Sequence, residues 1–425
     1  MNPLLVLAES GGGATRVLAV FVGIALVGIA ATFATTRLYA RLQRRRWVAA
    51  FTAGGWFAMM TGILIGPKVL AVVDQSGLQP LRPLLDITLA WIGLIVGLQL
   101  RLVLVSAIPK GLVKWVRNDT GVSLLAGLAT VIAWWMIAPP DVGTGVLGIA
   151  ALGLVIAFMG WAPETRSLRP SLTPRSGELA QLVQAGGGLG AVLAILTFGF
   201  GTLFVRFGPG DPSFVSPWIA LFELTLSAVI AVLLGFGAKV LLRLTTGAPQ
   251  ESLVVTLALV LLGAGFAAAL GLSPLLNGLL TGAVIGNLRD PILRDLERAL
   301  QRGEPGMAVL MLIASGSLAS DADPVQAVVL GLSIAGLRLL LKPIIFKSTI
   351  GPDFKDLSVR DPLFLGPARV PLVAIAVAIG PAAATRDPLA DTVLAAVMIA
   401  MLLGAVLPGV AGRRPARDPV GGATT

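Results

Sequence analysis

Cysteine and histidine are both absent from the 425 residues. The first absence excludes disulfides and thiolate nucleophiles; the second excludes imidazole metal ligands and imidazole proton relays. Charge is scarce as well, at 13% of residues against 56% hydrophobic, with a mean hydropathy of +0.90. That balance excludes a water-soluble domain of this length. Any chemistry falls to carboxylates and amines.

Long apolar runs are abundant. A bilayer core of roughly 30 Å asks for about 20 mostly apolar residues per helix, and such runs recur, separated by short polar turns. The pattern predicts an all-α integral membrane protein of about thirteen spans, near 17–36, 48–66, 84–105, 119–138, 143–162, 178–205, 215–238, 252–270, 274–287, 306–319, 325–346, 363–380 and 389–410. The first run is too long for a signal-peptide core and is read as a retained helix. Residues 1–410 are read as one transmembrane domain and 411–425, rich in Pro, Gly and Arg, as a disordered tail.

The net charge of +10 reads as orientation. Placing Arg37, Arg41, Arg44, Arg45 and Arg46 in the cytoplasm under the positive-inside rule puts most Lys and Arg inside, with Arg16, Lys68, Arg82, Arg206 and Arg386 outside. The N-terminus is then expected outside and the C-terminus, with Arg413, Arg414 and Arg417, in the cytoplasm at the cell membrane. Nucleic acid is not an expected partner; the lipid bilayer is.

Two stretches repeat. Thr61-Gly62-Ile63-Leu64-Ile65-Gly66 ends the second span, and Thr281-Gly282-Ala283-Val284-Ile285-Gly286 lies in the ninth. The two spans are seven apart, an odd number, so they cross the membrane in opposite directions, the mark of an inverted repeat with halves of about 48–205 and 274–410. The fifth and twelfth spans then correspond, and both carry breakers: Gly160-Trp161-Ala162-Pro163-Glu164 and Gly366-Pro367-Ala368-Arg369-Val370-Pro371. These are either simple proline kinks or two discontinuous helices that cross and point their ends at a binding site.

Over roughly residues 48–410 the chain resembles the cation:proton antiporter superfamily, particularly its potassium-efflux-type branch. The resemblance rests on Thr61 to Pro67, on Gly93-Leu94-Ile95-Val96-Gly97-Leu98-Gln99-Leu100, and on Leu270-Gly271-Leu272-Ser273-Pro274 through Gly278, Gly282 and Asn287. It implies a sodium/proton antiporter-like fold with two crossed discontinuous helices, a dimerisation half and a six-helix core, a homodimer, and a monovalent cation and a proton as partners, with no cofactor. The family's cation-binding Asp falls at or next to Gly188, and its hydroxyl-bearing break falls near Phe158-Met159-Gly160. Here the chain departs from the family.

Four charged residues remain as ion- or proton-binding candidates. Arg338 and Lys342, four apart, share one helix face; Lys342 is either a partnered charge or a side chain that snorkels to the interface. Arg369 sits between two prolines, where it neutralises the carbonyl end of a half-helix, binds an anion, or lies at the interface. Glu164 starts a half-helix or ends in a solvated loop beside Arg166. Glu223 is the rival carboxylate, while Glu178 and Asp86 read as helix-start residues. The glycine run Gly186–Gly190 follows no strand and is read as a close-packing surface rather than a phosphate loop.

Interleaved Arg289, Asp290, Arg294, Asp295, Glu297, Arg298, Arg302 and Glu304 read as a solvated amphipathic connector. An intramembrane enzyme is not expected. The expected activity is secondary ion transport by alternating access, of the monovalent cation:proton antiport type, at the crossed helices. A transport-inactive scaffold or sensor, or an anion transporter, is the alternative.

Overall fold

The computed structural model describes residues 55–68, 82–100, 110–137, 148, 153, 174–208, 210–244, 249–288, 293–349, 375–380 and 387–411. These hold α1 (Trp56–Ile65), α2 (Arg82–Leu98), α3 (Lys110–Ile137), α4 (Pro174–Leu203), α5 (Pro217–Leu244), α6 (Pro249–Leu270), α7 (Pro274–Asn287), α8 (Leu293–Ala319), α9 (Pro324–Thr349) and α10 (Pro388–Ala411). Residues 375–380 are helical too. The first predicted span and nearly all of the fifth lie outside the described residues, as does most of the twelfth.

Proline sets most of the starts. Six of the ten helices open on it, because a first-turn position has no intrahelical use for the missing N–H and the fixed φ suits the helix. Side-chain caps complete three of these starts. Ser273 Oγ accepts from Leu276 N at 3.4 Å, Asp323 Oδ1 from Val325 N at 2.9 Å, and Asp387 Oδ1 from Leu389 N at 2.8 Å. Gly271, at φ +70°, ends α6 in the left-handed conformation while Leu272 N donates back to Ala267 O at 2.8 Å.

Two expectations change. From Leu293 onward the polar connector and the tenth span form one helix, α8, with Pro305 inside it, because Leu296 and Leu300 are buried completely and carry the helical face across the junction. The loop near Arg206 is a two-stranded antiparallel hairpin, β1 (Val205–Gly208) and β2 (Gly210–Phe214), in an otherwise helical set. The end of the bundle that holds it is called the hairpin end below.

Four helical stretches, Gly111–Ile137, Pro217–Leu244, Gln250–Leu270 and Pro324–Lys342, are long and apolar enough to cross a membrane. The chain is a multi-pass membrane protein. Large apolar side chains such as Trp218, Phe222, Leu233 and Val254 on α5 and α6 point outward, as a lipid-facing surface requires.

The helices pack in two groups. In the first, α2 lies against α7, α1 against α8, and α5 and α6 cover them; in the second, α9 lies against α10 and α3, and α3 against α4. Seams form where α4 meets α2, α5 and α7, and where α8 meets α10.

Glycine makes the first group possible. A Cβ on Gly62 would strike the Ile313 carbonyl oxygen and one on Gly316 the Met59 carbonyl oxygen; on Gly282 it would strike Leu94 O, and on Gly97 Leu279 O. Aligning Thr61–Gly66 with Thr281–Gly286 makes Met59 the counterpart of Leu279, and Ile313 and Gly316 then correspond to Leu94 and Gly97. The α1–α8 and α2–α7 contacts are thus built alike. A polar side chain also ties the end of each pair, though not at matched positions: Asn287 Nδ2 donates to Leu100 O at 2.8 Å, just past α2, and Lys68 Nζ to Asp321 O at 2.7 Å, just past α8.

Candidate functional site

Of the two basic candidates on α9, Lys342 is buried and Arg338 is half-buried. Lys342 is 3% exposed and donates to Asp119 Oδ2 at 2.5 Å and to Ser123 Oγ at 2.8 Å, both on α3. The snorkelling reading of Lys342 therefore fails, since a partner on the neighbouring helix meets the ammonium before water does. Arg338, one turn earlier, interacts electrostatically with the same Asp119. Asp119 Oδ1 is enclosed and has no hydrogen-bond partner. Two cations thus converge on one carboxylate with a lone pair still open.

Sequence reasoning missed Asp119. A faint signal was present: Asp119 and Ser123 are four apart on α3, as Arg338 and Lys342 are on α9, so each pair lies on one helix face. Two such faces of opposite character within spans of low charge are natural partners.

A second constellation lies at the hairpin end of the first seam. Arg82 and Asp86 of α2, Thr202 of α4, Glu223 of α5, Ser273 of the α6–α7 turn and Gly380 line a cavity of about 210 Å³. The two helix groups form its opposite walls: α4 and residue 380 on one side, α2, α5 and α7 on the other. Asp86 and Glu223, read from sequence as a helix-start residue and a rival candidate, are therefore brought together. Linear distance hid this, because more than a hundred residues separate them.

Gly188 sits on α4, where a Cβ would lie 3.2 Å from Gln99 Oε1. The position at which the resemblance expects a carboxylate thus abuts a flexible amide at the end of α2. Glu164 and Arg369 lie outside the described residues, as do the two predicted helix breaks.

The sequence matches no protein-family model and no curated protein. The fold, however, is similar to that of the sodium proton antiporter MjNhaP1 from Methanocaldococcus jannaschii. Against its structure at pH 8 the TM-score is 0.61 at 17% identity, over 92% of this chain and 97% of that one. Against the electron-microscopy map of the same antiporter it is 0.60 at 16% identity, over 92% and 96%. The chain has an antiporter fold.

Proposed function

We propose that this protein is a secondary transporter that exchanges a monovalent cation for protons, by rocking of the α3–α4–α9–α10 group against the other helices. The observation that carries this reading is the cavity with Asp86 and Glu223 on the seam between the two groups. A solute site between two bodies changes its accessible side when one body moves against the other. Cations and protons compete for carboxylates, so a carboxylate-lined seam supports coupled exchange. The antiporter fold supports the same reaction class.

Within this reading the matched α1–α8 and α2–α7 contacts belong to an inverted repeat, the hairpin end faces outward, and the first group supplies the surface of a homodimer. Lys342 and Arg338 are the fixed positive charges of the moving group. Asp119 holds them, and its open Oδ1 is the point at which a proton or cation competes with Lys342. Gly188 moves the exchange away from the carboxylate position the resemblance implies.

The test is dissipation of a pH gradient in proteoliposomes on addition of sodium, potassium or lithium. Wild type is expected to dissipate it, and Asp86→Asn with Glu223→Gln together to lower the rate at least about tenfold, the loss expected when groups acting on the transported ion are removed. A response unchanged by that double substitution overturns the seam as the site. No wild-type response with any cation supports the scaffold or anion alternative.

A further inference from the structure

The second seam, where α8 meets α10, carries acidic chemistry that the exchange reading does not use. The turn leaving α8 bears Asp321 and Asp323, Asp387 precedes α10, and Asp391 lies in its first turn. Two of these acids are committed locally. Asp323 Oδ1 accepts from Val325 N and Gln326 N at 2.9 and 3.3 Å, and Asp387 Oδ1 from Leu389 N at 2.8 Å. Lys68 Nζ reaches the backbone oxygen of Asp321 at 2.7 Å.

Asp391 differs from them. It is 7% exposed, and its Oδ1 is enclosed with no hydrogen-bond partner. The neighbouring Thr392 hydroxyl is already used, accepting from Asp323 N at 3.2 Å and donating to Pro388 O at 2.7 Å. The charges acting on Asp391 are Asp321 and Asp387, both negative, and Lys68. The basic groups of the adjacent α9, Arg338 and Lys342, lie about 20 Å or more further along that helix at 1.5 Å per residue. A buried carboxylate oxygen without a donor is a polar group left unsatisfied.

Among the described residues no three acidic groups converge closely enough to ligate a metal ion. The ligand that satisfies a single orphaned oxygen, and removes a negative charge from beside two others, is a proton. We propose that Asp391 is a proton-binding site on the α8–α10 seam, separate from the Asp86–Glu223 cavity. Because Asp321 leaves α8 and Asp391 belongs to α10, the protonation state of Asp391 sets the repulsion across that seam. Proton uptake favours the two groups closed together at the hairpin end, and proton loss favours them apart.

Infrared difference spectra of the purified full-length protein in liposomes, recorded through a pH titration with no transported cation added, read this site directly. Wild type is expected to show a carboxylic-acid C=O band that titrates and that Asp391→Asn removes. Asp321→Asn is expected to weaken proton affinity at that band about threefold to tenfold, since it removes a neighbouring negative charge. Persistence of the band in Asp391→Asn overturns the proposal. Should that variant not fold, a titration shifted less than twofold in Asp321→Asn overturns it instead. No transport is measured, so an inactive transporter leaves this result standing.

Discussion

The α1–α8 and α2–α7 contacts and the α3–α9 contact solve one problem in opposite ways. Lipid gives no hydrophobic drive for helix association, so packing or polar partnership must hold helices together. In the first group glycines bring backbone onto backbone, with Gly62, Gly97, Gly282 and Gly316 each facing a carbonyl oxygen. In the second, α3 and α9 are joined by a buried ion pair between Asp119 and Lys342. Glycine contact makes a rigid unit that no proton disturbs. An ion pair makes a joint whose strength depends on charge state.

Breaking the ion pair should have the largest effect. Lys342→Ala breaks the Asp119 ion pair, leaving only Arg338's attraction, and is expected to cost about 3 kcal/mol of stability, the low end for a broken buried pair, read as a fall in the thermal unfolding midpoint in detergent. Lys342→Met combined with Asp119→Leu should restore part of that loss, because the pair is removed together and only Arg338's attraction to Asp119 goes unreplaced. Failure of the double variant to recover would mean that the pair does not join α3 to α9.

The glycine contacts come next. Gly282→Ala or Gly62→Ala forces a Cβ into a carbonyl oxygen and should cost about 1–3 kcal/mol, the range for overpacking. If the two contacts are built alike, the losses should be similar in size and add when combined, because distant independent sites add. A large difference between them would break the correspondence between α1–α8 and α2–α7.

Asn277 offers an intermediate case within the first group. It is fully buried, and its Nδ2 donates to Gly263 O at 3.0 Å, tying α7 to α6. Asn277→Ala should cost about 1–2 kcal/mol by removing that interhelical hydrogen bond. The smallest effect belongs to the exposed Asp295–Arg298 pair, 2.7 Å apart on the surface of α8. Arg298→Ala there should change stability by no more than about 0.5 kcal/mol, since such pairs are screened by water. A larger loss would show that the amphipathic start of α8 is held by its charges rather than by Leu296 and Leu300.

Much of the fold was legible one residue at a time. Pro274 and Asn287 bound the predicted ninth span, and Pro217, Pro249, Pro324 and Pro388 open helices within three residues of their predicted starts. The α8 junction was misread because eight charges between Arg289 and Glu304 outweigh the two leucines that bury its inner face. At the sites, Arg338 and Lys342 were identifiable because charge within an apolar run is conspicuous. Asp119 was passed over because it lies where the charged loop and the apolar span blend, and α3 in fact begins nine residues earlier, at Lys110.

The sequence by itself determined that the chain spans a membrane, where most of its helices start, which small residues repeat, and that carboxylates and amines are its only ionisable chemistry of use. These follow from local causes: hydropathy, the fixed φ of proline, and the absence of cysteine and histidine. Tertiary structure alone decided that Lys342 meets Asp119, that Asp86 and Glu223 share one cavity, and that Asp391 is enclosed with an oxygen unpaired. Each of these depends on which helix faces which across the bundle. Burial and electrostatic partnership are properties of that arrangement, and no single helix carries them in its own residues.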